Sequence, residues 1–291
     1  MLSPTLVATL LREVFGPRRL SRTPEPDLVM NGEDVVRAHT LVGRVQGPVA
    51  AAHLFHAARI SMVIRGSKHV FDLACGPANQ LCLLAQLNPE IEFTGVDLSD
   101  GMLENARAYV RHLGLKNVNF LVGDITRLDF IPDQSADAVI STVALHHLPT
   151  TDHLRRTFRE INRILDRNGA LYLADFGRLK SAKSVRFFAY KDRDTQPEVF
   201  CRDYENSLRA AFLIEEFTSL AREELPSYVH VKRTFAIPFF MLVKSEDRPI
   251  DEALRRVLKR KRLELEPRYR VDLDDIRRFF RMGGLPNDPF H

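Results

Sequence analysis

The stretch Val70-Phe-Asp-Leu-Ala-Cys-Gly-Pro-Ala78 constrains this chain most. Four apolar-rich residues end on a run of small ones, as a buried strand does when it enters a tight loop. A second strand-like segment, Phe93-Thr-Gly-Val-Asp97, closes on a carboxylate 21 residues after Gly76. In a doubly wound sheet that pairing holds a ribose. The small-residue loop lets a ligand approach bare backbone, and the acid accepts hydrogen bonds from the sugar hydroxyls. The pattern therefore points to a ligand that carries a nucleoside.

The rest of the chain suits such a sheet. Strand patterns at 70–74, 92–97, 118–122, 136–142 and 170–175 alternate with helical ones at 80–87, 101–113 and 152–166. That alternation predicts a mainly parallel α/β sheet. Beyond Asp175 a helical stretch, 203–225, leads to two β-type runs, 228–235 and 239–244, separated by Pro238. These predict an antiparallel hairpin at the sheet edge and a total of seven strands. Leu6, Val7, Leu10, Leu11 and Val14 recur at helical spacing behind Ser3-Pro4. A proline-rich link, 22–26, follows, and Gly47-Pro48 opens an apolar helix, 49–64, stopped by Gly66. The expected organisation is a helical cap (1–65), a nucleoside-binding domain (66–246) and a charged helical tail (247–291).

Composition excludes several classes. The cysteines, Cys75, Cys82 and Cys201, are odd in number and widely spaced, which is neither a disulfide framework nor a zinc pattern. No metal site is expected. No apolar run approaches the roughly 18 residues of a membrane helix. Met1-Leu-Ser-Pro-Thr5 lacks the start of a secretory signal, so a cytoplasmic setting is expected. Lys and Arg number 42 against 38 Asp and Glu, an excess that permits anionic partners without requiring them.

The loop also selects among nucleoside ligands. A dinucleotide site needs G-x-G-x-x-G, whereas the frame from Gly76 reads Gly-Pro-Ala-Asn-Gln-Leu. No Gly-Lys-Ser/Thr follows, which excludes a P-loop. A nucleoside without phosphate is left.

From residue 68 to 244 the order of segments resembles the class I S-adenosylmethionine-dependent methyltransferases, particularly the group with the quinone-biosynthesis enzymes. Asp72-Leu-Ala-Cys-Gly-Pro-Ala78 resembles the family's first motif, although two of its three usual glycines are Ala74 and Ala78 here. The resemblance implies that Asp72, Ala74, Cys75, Gly76 and Ala78 cradle the methionine part of the cofactor. It places Asp97 on the ribose, with Leu98 and Met102 beside the adenine. Gly123, Asp124 and Ile125 match the segment that meets the adenine amino group and ring. Ser141-Thr-Val-Ala-Leu-His-His-Leu-Pro149 matches the segment facing the sulfonium, which brings in Thr142, His146 and His147. The hairpin matches the family's reversed last strand. S-adenosylmethionine would be the cofactor, S-adenosylhomocysteine the product, and a small organic molecule the acceptor.

Each residue also has a plainer role. Asp97 can cap the helix that follows. Met102 can be core, and Asp124 a turn carboxylate. His146 and His147 are candidate general bases, or histidines that satisfy a nearby carbonyl. His53 and His56, three apart on one helix, suit a lid better than a metal. Phe187, Phe188 and Tyr190 are core or a substrate wall. Arg178, Lys180 and Lys183 are anion contacts or loop charge. The basic run 255–262 leaves an RNA methyltransferase open, though without an aromatic platform for bases. A cofactor-binding regulator without catalysis is a third reading.

Overall fold

A computed structural model describes residues 4–26, 49–194 and 196–291. Met1–Ser3 and the expected helix start at Gly47-Pro48 lie outside the described residues. The sheet has seven strands among these residues: β1 (His69–Leu73), β2 (Glu92–Asp97), β3 (Val118–Val122), β4 (Ala136–Thr142), β5 (Leu165–Phe176), β6 (His230–Arg233) and β7 (Phe240–Lys244). Their order is β3-β2-β1-β4-β5-β7-β6. The first five are parallel, and β7 runs antiparallel between β5 and β6. This is the expected sheet and hairpin. Strand order reverses between β1 and β4, and a doubly wound sheet opens its ligand crevice beyond the strand ends at such a point.

The helices follow their local signals. α1 is Pro4–Phe15, α2 Ala50–Val63, α3 Asn79–Leu87, α4 Asp100–Leu113 and α5 Thr151–Ile164. Ser99 caps α4 by accepting from Met102 N–H, and Gly114 ends it at φ 67°. Thr150 caps α5, whose Leu154, Phe158 and Ile161 are buried on one face.

Later elements depart from the pattern. The helical stretch expected over 203–225 is two helices, α7 (Glu198–Ala210) and α8 (Ile214–Glu224). Phe212 breaks it: its carbonyl accepts from Arg178 N–H at 2.9 Å, and Phe212 bridges to Gly177. A helix, α6 (Ala182–Tyr190), fills the expected gap after β5. The charged tail forms α9 (Glu252–Glu264) and α10 (Pro267–Met282).

The described N-terminal helices pack against the rest of the chain. α2 is buried nearly all round. Its Phe55 stacks on Phe280 of α10 at 5.0 Å, and its Arg59 pairs with Asp247 at 2.7 Å. α1 forms as expected, but Val7, Leu11 and Val14 of its stripe are exposed while Thr9 and Glu13 are buried. Glu13 fixes that rotation by accepting from Lys180 N–H at 2.6 Å, just before α6.

Between α1 and residue 26 the chain is a strap over the carboxyl end of the sheet. Arg19 N–H donates to Lys180 O and Thr23 N–H to Arg209 O. Arg22 anchors the strap. Its guanidinium donates to Ala210 O at 2.7 Å, His146 O at 3.1 Å, Leu148 O at 2.5 Å and Pro149 O. It also lies 4.0 Å over the Phe212 ring. Five donors in a rigid plane let one side chain satisfy four carbonyls that no helix or strand uses. Arg22→Ala is expected to cost about 2–4 kcal/mol, because those half-buried carbonyls lose a charged donor. Hydrogen exchange at residues 145–150 should quicken in the variant. Unchanged melting and exchange would show that the strap rests on other contacts.

Candidate active site

A cavity of about 920 Å³ opens beyond the carboxyl ends of β1 and β4. Its floor is the loop after β1. Ala74, Gly76 and Ala78 all take left-handed backbone, with φ of 56°, 54° and 60°. Gly76 does so without strain, while the two alanines do so at a cost of roughly 1 kcal/mol each. Ala78 N–H closes the loop on Cys75 O at 3.0 Å. Val143, just after β4, is a third strained position at φ 53° and borders the same cavity. A β-branched residue there is uncommon and marks a backbone held by its surroundings.

Asp97 ties this floor together. One carboxylate oxygen accepts from Gly76 N–H at 2.8 Å and the other from Ser99 N–H at 2.9 Å. The side chain thus links the loop after β1 to the start of α4. Burial raises its pKa against the hydrogen bonds from Ser99, Gly76 and Leu98 that favour its charge. Asp72, at the end of β1, is fully buried. That burial, with the Asp97 charge nearby, pushes it up to about 8.

Most of the sequence-derived residues converge here. Asp72, Ala74, Cys75, Gly76, Asp97, Leu98, Met102, Gly123, Asp124, Ile125, Thr142, His146 and His147 all border the cavity. Ala78 does not; it is fully buried at the start of α3 and shapes the loop from behind. Asp124 also makes the plainer contact foreseen for it, accepting from Thr126 N–H at 2.8 Å. Gly123 is needed for space, since a Cβ there would lie 2.3 Å from the Phe130 ring.

The other half of the cavity is aromatic. Phe176, Phe188, Tyr204, Phe239 and Phe240 form a run of ring contacts with centroids 4.4–5.8 Å apart. Phe187 and Phe200 border it as well, but Tyr190 does not. Leu6 and Leu10 of α1, His53 and His56 of α2, and Ile276 and Phe279 of α10 complete the wall. His56 Nδ1 lies 2.8 Å from Tyr172 Oη, and burial pushes the ring down to about 3, so it is neutral. Of the candidate anion contacts none borders the cavity. Arg178 pairs with Glu216 at 2.9 Å, and Lys180 donates to Val14 O at 3.1 Å.

His146 is the most constrained polar group at the site. Its backbone N–H donates to one oxygen of Asp175 and its Nδ1 to the other, both at 2.7 Å. Burial alone would lower the imidazole pKa; the Asp175 charge and hydrogen bond, with Glu25 and Asp203, outweigh that and raise it. The His147 ring lies 4.3 Å from that of His146. Sequence reasoning missed Asp175 as a site residue. The signal was present, since Asp175 closes an apolar strand as Asp72 and Asp97 do.

Comparison with known proteins gives the activity. Residues 70–169 match the methyltransferase-domain family. The chain is an S-adenosylmethionine-dependent methyltransferase. Over 184 residues it is 28% identical to the demethylmenaquinone methyltransferase of Listeria monocytogenes serotype 4b (strain CLIP80459), covering 63% of this chain and 74% of that one. It is 40% identical over 106 residues to the Thermotoga maritima enzyme of the same name, covering 36% of this chain and 42% of that one. The PH0226 protein of Pyrococcus horikoshii OT3 shares the fold, with a TM-score of 0.54 and 19% identity over 75% of this chain and all of that one. S-adenosylmethionine is the methyl donor of this methyltransferase. The residues at the cavity border fit its cationic methionine end: Asp72 is a carboxyl group buried at a cost, and Gln80 Oε1 is a buried acceptor without a partner. In the methyltransferase, Asp175→Asn should lower the His146 pKa, because burial is then opposed only by the weaker pull of Glu25 and Asp203. Imidazole nitrogen shifts in an NMR titration measure it, and an unmoved pKa would mean that Asp175 is not the controlling charge.

Proposed function

We propose that this enzyme methylates a small aromatic or otherwise apolar acceptor bound in the aromatic half of the cavity, with the cofactor across the loop after β1. The observation that carries the reading is the continuity of one cavity between two chemically different halves. One half presents Asp72, Asp97 and a backbone-lined loop, and the other presents stacked phenylalanines. The curated relatives named as demethylmenaquinone methyltransferases support a flat, quinone-like acceptor.

The side chains divide the cofactor between them. Asp97 accepts from the ribose hydroxyls with the lone pairs its two backbone partners leave free. Asp72 pairs with the ammonium of the methionine part. Leu98, Met102 and Ile125 enclose the adenine, Gly123 and Asp124 meet its polar edge, and Thr142 stands near the sulfur. The cofactor's sulfonium supplies an activated methyl group. The protein aligns the acceptor for in-line displacement and excludes water, so proximity and orientation are its main contribution. We take segments 1–65 and 247–291 as covers of the central domain 66–246, because α1, α2 and α10 wall the acceptor half. RNA has less support. None of residues 255–262 borders the cavity; Leu254 and Leu258 are buried, and Arg262 is paired with Asp274 at 2.6 Å.

Two measurements test the assignment. Asp97→Ala should weaken S-adenosylmethionine binding about 10- to 100-fold, the loss of hydrogen bonds to a charged acceptor. Equal affinity in calorimetry would defeat the ribose assignment. Asp72, held at about 8, is protonated in the free protein at pH 7, whereas its partner ammonium favours the ionised form. Binding at pH 7 should therefore release close to ~1 proton. Calorimetry in buffers of different ionisation enthalpy reads this directly, and Asp72→Asn should abolish it. Without cofactor the same raised pKa favours the folded state in acid, and that contribution is lost as pH rises through about 8.

A further inference from the structure

We propose that Glu25, His146 and His147 form a binding site for one divalent first-row transition ion, zinc by the donor set, at the edge of the acceptor chamber. A ligand atom from each of the three lies within 4.8 Å of those of the other two. Two imidazoles and one carboxylate, with a further position left for water or substrate, is a donor set that zinc uses in catalytic sites.

Three observations beyond proximity support the site. His146 has one nitrogen to offer, since Nδ1 is held by Asp175 at 2.7 Å. The other, Nε2, is buried and has no hydrogen-bond partner. A buried imidazole nitrogen left that way is costly, and coordination would satisfy it. The Asp175 contact is also the outer contact that metal-bound histidines make. A carboxylate on the far nitrogen fixes the tautomer and aims a lone pair from the near one. Glu25 has an outer contact of its own, as Ser207 Oγ donates to its Oε1 at 3.0 Å.

The site is assembled from distant parts of the chain. The histidines sit on the 3-10 turn Leu145–His147, behind strained Val143. Glu25 arrives on the strap. Arg22, three residues earlier, binds the carbonyl of His146 itself, so the same strap that brings the carboxylate also fixes the turn. Two histidines side by side and a glutamate far away in sequence match no short metal motif, which is why none was expected. Both histidines border the cavity. An acceptor hydroxyl placed on the ion would lose its proton more readily, as metal-bound water does. That use rests on the methyl-transfer reading; the existence of the site does not.

The test uses the whole 291-residue chain, dialysed against chelator and titrated with Co²⁺ and then Zn²⁺. One Co²⁺ per chain should bind, with the ligand-field absorption of a four- or five-coordinate ion, and Zn²⁺ should displace it. Glu25→Gln and His147→Gln should each weaken binding at least about tenfold, and Asp175→Asn should do so through the outer contact. His112→Gln, on the exposed side of α4, should leave binding unchanged. S-adenosylmethionine affinity, measured on the same metal-free samples, separates this result from any failure of the cofactor site. The proposal is overturned if Co²⁺ does not bind, or if the Glu25 and His147 variants bind it as tightly as the parent. It is equally overturned if NMR shows His146 carrying protons on both nitrogens in the presence of Zn²⁺, which would make it an imidazolium paired with Glu25.

Discussion

The Asp97 carboxylate, shared between Gly76 N–H and Ser99 N–H, is the interaction on which the site's geometry depends. It holds the loop after β1 against the start of α4, so the two segments that border the cofactor half cannot move apart separately. The loop it holds is strained at Ala74 and Ala78, where left-handed backbone has to be imposed. An acid that accepts from the loop's middle residue supplies part of that constraint. The carboxylate therefore has a structural duty before any ligand arrives, and its proposed duty to the ribose uses what coordination remains.

A second set of constraints comes from the ends of the chain. The strap carrying Arg22 satisfies carbonyls of the turn after β4 and of the end of α7. α2 lies buried between the sheet and α10, fixed by the Phe55–Phe280 stack and the Arg59–Asp247 pair. Both termini thus build walls of the acceptor chamber as well as covering it. Acceptor choice on this fold resides in such additions, since the sheet itself is common to many chemistries.

Charge is distributed to match. Asp97 and Asp72, the latter pushed up to about 8, give one half of the cavity an acidic end, and His146 is surrounded by Asp175, Glu25 and Asp203. The deep aromatic end holds a neutral His56. The proposed division of the cavity follows this distribution, with the cationic donor on the acidic side and an apolar acceptor on the aromatic side.

The sheet and the acidic loop side of the cavity were legible in the sequence because they rest on local signals. Strand alternation, a small-residue loop and an acid at a strand's end depend on neighbours along the chain, and those neighbours settle them. The helix at 203–225 was misread because Phe212, an ordinary apolar residue in sequence, is drawn into a bridge with Gly177. The stripe on α1 read correctly as helical, yet its burial was set by Glu13 meeting Lys180, a contact far along the chain. Glu25, Asp175 and the aromatic chamber belong to the same class. The sequence alone determined a mainly parallel sheet and the acidic, small-residue loop at its strand ends, since backbone and side-chain chemistry within a few residues is enough for that. Tertiary structure decided which side chains line the cavity, because only folding brings the strap, the turn after β4, the hairpin and α10 to one place.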